Sequence, residues 1–420
     1  MAAHRNPPLL APPAGMRDLL YPESAARRAL GAALMRTFAL YGYELVTTPP
    51  FEHADVIERG LDAVDRRDLL RFVEPETGEV ALLRPDITPQ IARIVASSLR
   101  GRPGPWRLAY DGTIVRRRRG RARRQRQIAQ AGAELIGLGG PAGDAEVIAL
   151  AVDAARAAGL PQVRVELAHV GLGRSALSAL AEEDQEAAAE ALAAKDVALL
   201  TSLLEGEAQG LKAHVLGLVG LDGPADEVLK EARARFRNES DQEPLDELTA
   251  VIARLGLPGS LVGLDLSDVR GASYYTGVSF TLLAPGPGEP IAAGGRYDGL
   301  LARFDHPAPA TGFALDIENL AWALAEAGTP ARAPKLVRVV VPVDGEPAQA
   351  LLVALRAAGI AAAALPADAD ALAYARAWGY DAVARAGETA RAERVDGRGA
   401  VTLPAGDPAR TLLALLDGAG

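Results

Sequence analysis

The spacing of apolar and polar positions predicts a long first part of the chain and a short second part. Over Glu23–Tyr41 the apolar residues Leu30, Ala33, Leu34, Phe38 and Leu40 recur at helical spacing, and Gly42 ends the helix. Tyr43–Phe51 predicts an extended edge or interface strand, because Pro49 and Pro50 stop any ladder at that end. Ala81-Leu82-Leu83 is a buried-looking run that stops at Arg84-Pro85-Asp86. A helix follows, with Asp86 or Thr88 as its cap, Pro89 in its first turn and Ile91, Ile94 and Val95 as its apolar stripe. Trp106–Val115 and Ile128–Ile136 read as strands, Gly143–Ala158 as a helix and Gln162–Ala168 as a strand. Val170–Leu255 is rich in Ala, Leu and Glu, with breaks at Gly206, Gly210, Gly220 and Pro224, and reads as an all-helical insertion without chemistry of its own. Strands return at Ser260–Leu266, Val278–Leu283 and Gly312–Leu315, the last leading into a helix over Ile317–Ala327. Gly328–Pro334 is a linker. Beyond it, strands at Leu336–Val343, Ala361–Leu365, Asp381–Ala384 and Ala400–Leu403 alternate with helices, which predicts a small α/β domain with a largely parallel sheet.

Composition narrows the class. The 420 residues exceed one domain's worth, and 49% hydrophobic with 24% charged residues fits a soluble chain with a sizeable core. The absence of cysteine removes disulfides and thiolate metal sites and fits a reducing compartment. The N-terminus has no apolar stretch of secretory length, and no run approaches the roughly 20 apolar residues of a membrane helix. The cytoplasm is therefore expected. The five histidines have no metal-ligand spacing, and no phosphate-binding loop or dinucleotide fingerprint follows a predicted strand, so neither a metal nor a cofactor is expected.

Candidate chemistry concentrates in three places. The first is Leu82–Gly137, where two strands flank a loop with eight arginines in the eleven positions Arg116–Arg126. Such a run is a solvated tip, a local anion site or a docking surface for an acidic partner. General nucleic-acid binding is disfavoured, because the whole chain carries a formal charge of −9. Asp86 and Glu134 can face the same cavity from the other side. The second place is the Gly-flanked turn with Arg270, Tyr274 and Tyr275; the third is the glycine-rich Ala293–Leu300, with Arg296. Taken singly, these two read as a hairpin with packed aromatics and as a tight strand-to-helix turn.

In this order the three stretches resemble class II aminoacyl-tRNA synthetases of the histidyl type, over roughly residues 10 to 330. Tyr43–Phe51 is similar to the dimer-forming motif 1, Arg116 with Gln130–Glu134 to motif 2, and Gly312-Phe313-Ala314 to the start of motif 3. Arg270-Gly271 with Tyr274–Gly277, and Gly294–Gly299, are similar to the histidine-specific motifs. The resemblance implies an α+β fold: a mostly antiparallel sheet flanked by helices over 1–330, a helical insertion at about 170–255, and a small α/β domain over 336–420 like a reduced anticodon-binding domain. It also implies a histidine pocket. Asp86, Thr88 and Gln130 would hold the α-ammonium, with Glu134, Tyr274 and Tyr275 around the imidazole. Arg270 would face the carboxylate, and Arg116 and Arg296 would be available to an anion.

Three departures redirect the reading. Arg118 stands where the synthetase pattern has a glutamate, Asn319 replaces the arginine that stacks on adenine, and Ile87 follows Asp86 in place of glycine. With Asp86–Arg93 and Gln130–Gly137, this combination is similar to the regulatory subunits of ATP phosphoribosyltransferase. That resemblance implies a chain with no activity or cofactor of its own, acting in histidine biosynthesis. It would form a homodimer within a hetero-oligomer with a short-form catalytic subunit, bind L-histidine as feedback inhibitor, and not bind tRNA. An active histidyl-tRNA synthetase and an RNA-binding regulator are the alternatives.

Overall fold

Trp106–Val115 and Gln127–Ile136 pair antiparallel over their whole length and form the spine of a nine-stranded sheet. The computed structural model describes residues 10–60, 69–116, 125–269 and 274–417. Two compact units result, Met1–Ala333 and Pro334–Gly420. The first contains strands β1 (Glu44–Leu45), β2 (Phe51–His53), β3 (Leu70–Val73), β4 (Val80–Leu83), β5 (Trp106–Val115), β6 (Gln127–Ile136), β7 (Arg164–His169), β8 (Asp222–Pro224), β9 (Val262–Asp265), β10 (Val278–Leu283), β11 (Ala292–Arg296) and β12 (Ala310–Asp316). The large sheet runs β1-β5-β6-β12-β11-β10-β7-β9-β8. Only β1–β5 and β7–β9 are parallel, so the sheet is mostly antiparallel, as the resemblance implies.

One face of this sheet is covered. Helices Glu23–Leu40, Gly140–Ala157, Glu239–Leu255 and Ile317–Glu326 pack on it, and Leu34, Phe38, Ala131, Ala133, Leu135, Leu167 and Phe313 meet in the core between. Phe38 meets Phe313 edge to face at 5.6 Å. Each such side chain contributes about 1.5–3 kcal/mol on burial. The other face is closed only in part, by helix Thr88–Ala96, where Ile87, Ile91, Tyr110, Ile114 and Tyr297 form a second cluster.

The structure departs from the sequence reading in five places. The extended Tyr43–Phe51 segment is split: β1 joins the edge of the large sheet, whereas Phe51 begins β2 in a separate three-stranded sheet, β2-β4-β3. Pro49-Pro50 separates the two, since neither residue can donate to a ladder. The stretch 170–255 is not all-helical, because its Asp222–Pro224 forms β8 of the sheet, and its last helix packs in the main core. Ala292–Arg296 is a strand, not a turn. Its glycines serve close approach: a Cβ on Gly294 would collide with the backbone of Gly312 and Phe313 on the neighbouring strand. The helix cap also differs. Asp86 Oδ1 accepts from the Ile87 and Thr88 amides at 2.6 and 3.1 Å, one position before the formal cap. Thr88 does not cap, so its hydroxyl is free for other work.

The fifth departure lies in the second unit, where the sheet is mixed rather than largely parallel. Its strands are β13 (Arg338–Val343), β14 (Ala361–Pro366), β15 (Ala382–Arg385), β16 (Ala390–Arg394) and β17 (Ala400–Leu403), in the order β14-β13-β15-β16-β17. The last two pairings are antiparallel. The unit closes its own core around Val339, Val341, Leu352, Leu355 and Leu412. Among the described residues no helix is long and apolar enough to cross a membrane.

Candidate functional site

Side chains alternate along a strand, so Gln130, Gly132 and Glu134 of β6 share one face, and the register extends that face to Tyr110 on β5 and Gly312 on β12. This is the face on which helix Thr88–Ala96 packs. The glycines are required there. A Cβ on Gly312 would lie inside the Glu134 carboxylate, and one on Gly132 would strike the Tyr110 hydroxyl. Gly295, in register with Gly312, continues the floor. Arg84 holds its rim: the guanidinium donates to Thr48 O and Oγ1 at 3.0 and 2.7 Å and to Thr113 O at 2.8 Å, tying the double-proline segment to β5.

Glu134 is the centre of this face and is 1% exposed. Its Oε1 accepts from the Thr88 hydroxyl at 2.6 Å and from Tyr110 at 3.4 Å, and its Oε2 accepts from Tyr297. All three donors are neutral. Burial therefore dominates and raises the Glu134 carboxyl to about 8; the Thr88 and Tyr297 hydrogen bonds oppose the rise, and the charge of Asp86 adds to it. Tyr297 stacks on Tyr274 at 5.3 Å, and Tyr274 meets Tyr275 edge to face at 5.2 Å. Burial raises the hydroxyls of Tyr110, Tyr274, Tyr275 and Tyr297, and the Glu134 charge adds to each rise. Gln130 is buried four residues before Glu134, and among the described residues its Oε1 has no hydrogen-bond donor.

The structure thus gathers Asp86, Thr88, Gln130, Glu134, Tyr274 and Tyr275. Arg116, at the end of β5, is close enough for its charge to oppose the rise of Tyr275. Arg270 and most of the arginine loop lie outside the described residues. Arg296 is a correction. Its side chain points to the covered face, where Nη2 reaches Asp144 at 2.5 Å and Glu247 at 2.6 Å. Two carboxylates already match its charge, so it is not available to an anion in the pocket. His169 joins the same cluster, its Nε2 3.1 Å from Glu247. Asp144, His169 and Glu247 were not visible as a group in sequence, and Tyr110 and Tyr297 were not singled out. For Tyr110 a signal existed: it has the same strand parity as Leu108 and Ile114 on β5.

Beside the pocket a cleft of about 440 Å³ opens on the same face, lined by Glu166, Ala168, Asp265, Asp268, Tyr275, Ser279 and Thr281 among others. Among the described residues no lysine or arginine lines it. Asn319, at the first turn of the following helix, is 1% exposed and donates Nδ2 to Pro290 O at 2.8 Å. Among the described residues no group of three His, Asp or Glu side chains is placed to hold a metal ion.

The family model "Histidyl-tRNA synthetase" matches residues 15–320. The ATP phosphoribosyltransferase regulatory subunit of Moorella thermoacetica is 42% identical over 319 residues, covering 75% of this chain and 82% of that protein. A solved structure from Bacillus halodurans, described as an ATP phosphoribosyltransferase regulatory subunit/histidyl-tRNA synthetase, superposes with a TM-score of 0.76 at 30% identity, covering 91% of this chain and 99% of that one. The histidyl-tRNA synthetase of Nostoc sp. PCC 7120 has the same fold, with a TM-score of 0.76 at 21% identity over 97% of this chain and 99% of its own.

Proposed function

The chain belongs to the family of ATP phosphoribosyltransferase regulatory subunits, with the architecture of a histidyl-tRNA synthetase, and from that premise we propose that it binds free histidine at Glu134 and reports its occupancy to a short-form catalytic subunit without adenylating an amino acid. The observation that carries this reading is the buried Glu134 carboxyl, surrounded by hydroxyls and, among the described residues, paired with no cation. An imidazole supplies the missing partner, with one proton shared between ring and carboxylate. Among the described residues Gln130 Oε1 lacks a donor, and an α-ammonium beside Asp86 provides one. Each well-aligned charge-assisted bond contributes about 1.5–3 kcal/mol.

The nucleotide side is different. Asn319 is sunk into the sheet margin and has no planar cation to lay on a base. Carboxylates of Glu166, Asp265 and Asp268 line the adjoining cleft, with Arg164 paired to Glu166 and Lys195 to Asp265. A homodimer within the hetero-oligomer, working in the cytoplasm, completes the reading; it is supported by the exposure of Leu45 and Phe51 in the segment similar to motif 1.

Two measurements on the purified chain test the proposal. Calorimetry should show saturable histidine binding, and histidine-dependent ATP–pyrophosphate exchange should stay at background. Exchange above background overturns the non-adenylating assignment, and absence of binding overturns the pocket. Histidine should also inhibit the complex formed with the catalytic subunit. A Glu134→Gln complex should need about 10- to 100-fold more histidine for the same inhibition, the loss of one charge-assisted bond.

A further inference from the structure

The buried cluster behind the sheet joins parts of the chain far apart in sequence: Asp144 on helix Gly140–Ala157, His169 at the end of β7, Glu247 on helix Glu239–Leu255, and Arg296 at the end of β11. Arg296 and Tyr297 are consecutive and point to opposite faces. Tyr297 donates to Glu134 in the pocket, while Arg296 is clasped by Asp144 and Glu247. A change at the Tyr297 hydroxyl is therefore one peptide unit from the clasp.

A second set of bonds runs parallel to the first. His169 Nδ1 accepts from the Gly171 amide at 3.1 Å and caps helix Val170–Leu177, which leaves Nε2 to donate to Glu247. From the same helix Arg174 donates to the carbonyl of Tyr275. The Thr276 amide donates to Arg296 O at 2.7 Å, and the Val170 amide to Gly277 O at 3.2 Å. The pocket tyrosines, the end of β11 and both ends of the helical stretch 170–255 thus share one hydrogen-bonded network. Glu247 is its junction, with donors from two elements meeting on one carboxylate; the His169 bond holds that carboxyl down to about 2, so it stays charged.

We propose that Glu247 is a positioning residue that transmits occupancy of the Glu134 pocket to the helices of residues 170–255, making that helical stretch the output arm of the histidine site. The inference rests on the histidine reading above. A ligand that takes the Glu134 proton changes what Tyr297 donates to, and this differential contact is what shifting a conformational equilibrium requires. The clasp converts that shift into a change at Glu247, because packed ion pairs have discrete arrangements rather than continuous ones.

Hydrogen exchange on the intact chain, with and without saturating histidine, tests the relay. In the unmodified protein histidine should slow exchange not only in β5, β6 and β11 but also in 170–177 and 239–255. In Glu247→Gln the calorimetric histidine Kd should stay within about threefold, while protection of 239–255 is lost. The concentration for half-inhibition of the reconstituted complex should rise about 5- to 150-fold, the range of ordinary allosteric coupling. Asp246→Asn, next to Glu247 on its helix, breaks an exposed pair with Arg233 of helix Ala225–Arg235 and should leave all three readouts unchanged. Protection confined to the pocket strands of the unmodified protein overturns the relay and leaves the histidine pocket standing. No heat and no protection anywhere overturns both.

Discussion

Between its ordinary value of 4.5 and its folded value of about 8, Glu134 holds a proton in the folded chain that the unfolded chain has released. Its contribution to stability is therefore fully present below pH 4.5 and is lost as pH rises through 8. Glu247 works in the opposite direction. Its carboxyl is held at about 2, so its contribution is present above the ordinary 4.5 and is lost as pH falls toward 2. The ligand-free chain should show a Tm that declines from about pH 5 to pH 8, and Glu134→Gln should flatten that decline; calorimetric scans across this range decide. Histidine binding should follow the proton inventory. From the imidazole value near 6.5 up to about 8, one proton is available in the separated partners and one is held in the complex, so affinity is level. It should fall on both sides, because a proton must be lost below this window and gained above it. Asn319→Arg should not restore adenylation, since the new guanidinium starts in a position that is 1% exposed and Arg118 remains. Pyrophosphate exchange by that variant would show the nucleotide site to be intact.

Strands were read well where they are long and rich in β-formers, and badly where glycine builds them. Trp106–Val115 was legible to the residue, and Ile128–Ile136 to within one. Ala293–Leu300 reads as a turn because Gly294-Gly295 signals one locally, yet its first four residues belong to β11; the reason for the glycines is the neighbouring strand, which no local window contains. The pocket itself was half legible. Asp86 and Glu134 were legible as carboxylates facing one cavity, Thr88 and Gln130 were reached through their resemblance to known motifs, and the alternation on β6 puts Gln130 and Glu134 on one face. Arg296 came from the same source and went to the wrong face, since the parity of β11 was hidden by reading it as a turn. The floor gives a sharp test at this scale. Gly312→Ala should abolish histidine binding in calorimetry and lower the Tm, because its methyl group and the Glu134 carboxylate cannot occupy the same space. Retained binding would mean that Glu134 moves freely, against the geometry described.

Each of the two units closes a core of its own, around Phe38, Leu135 and Phe313 in the first and Val339, Leu352 and Leu412 in the second. Residues 1–333 expressed alone should therefore fold cooperatively and bind histidine with the affinity of the full chain, as compared by calorimetry. Long-range order was the least legible scale. The Arg296 clasp spans 152 residues to Asp144 and 49 to Glu247, and on a helix reading ESDQEPLDELTAV nothing marks Glu247 apart from its acidic neighbours. Only the folded sheet brings these charges together, and so a stretch read as chemically silent turns out to carry a member of the buried network.

Bare backbone paves the cradle at Gly132, Gly295 and Gly312, and that constrains how the chain can evolve. Substitution there can only add atoms and shrink the recess; none can deepen it. A lineage shifting toward a bulkier effector must therefore change the aromatic walls or the lip, and the paving should outlast every such change.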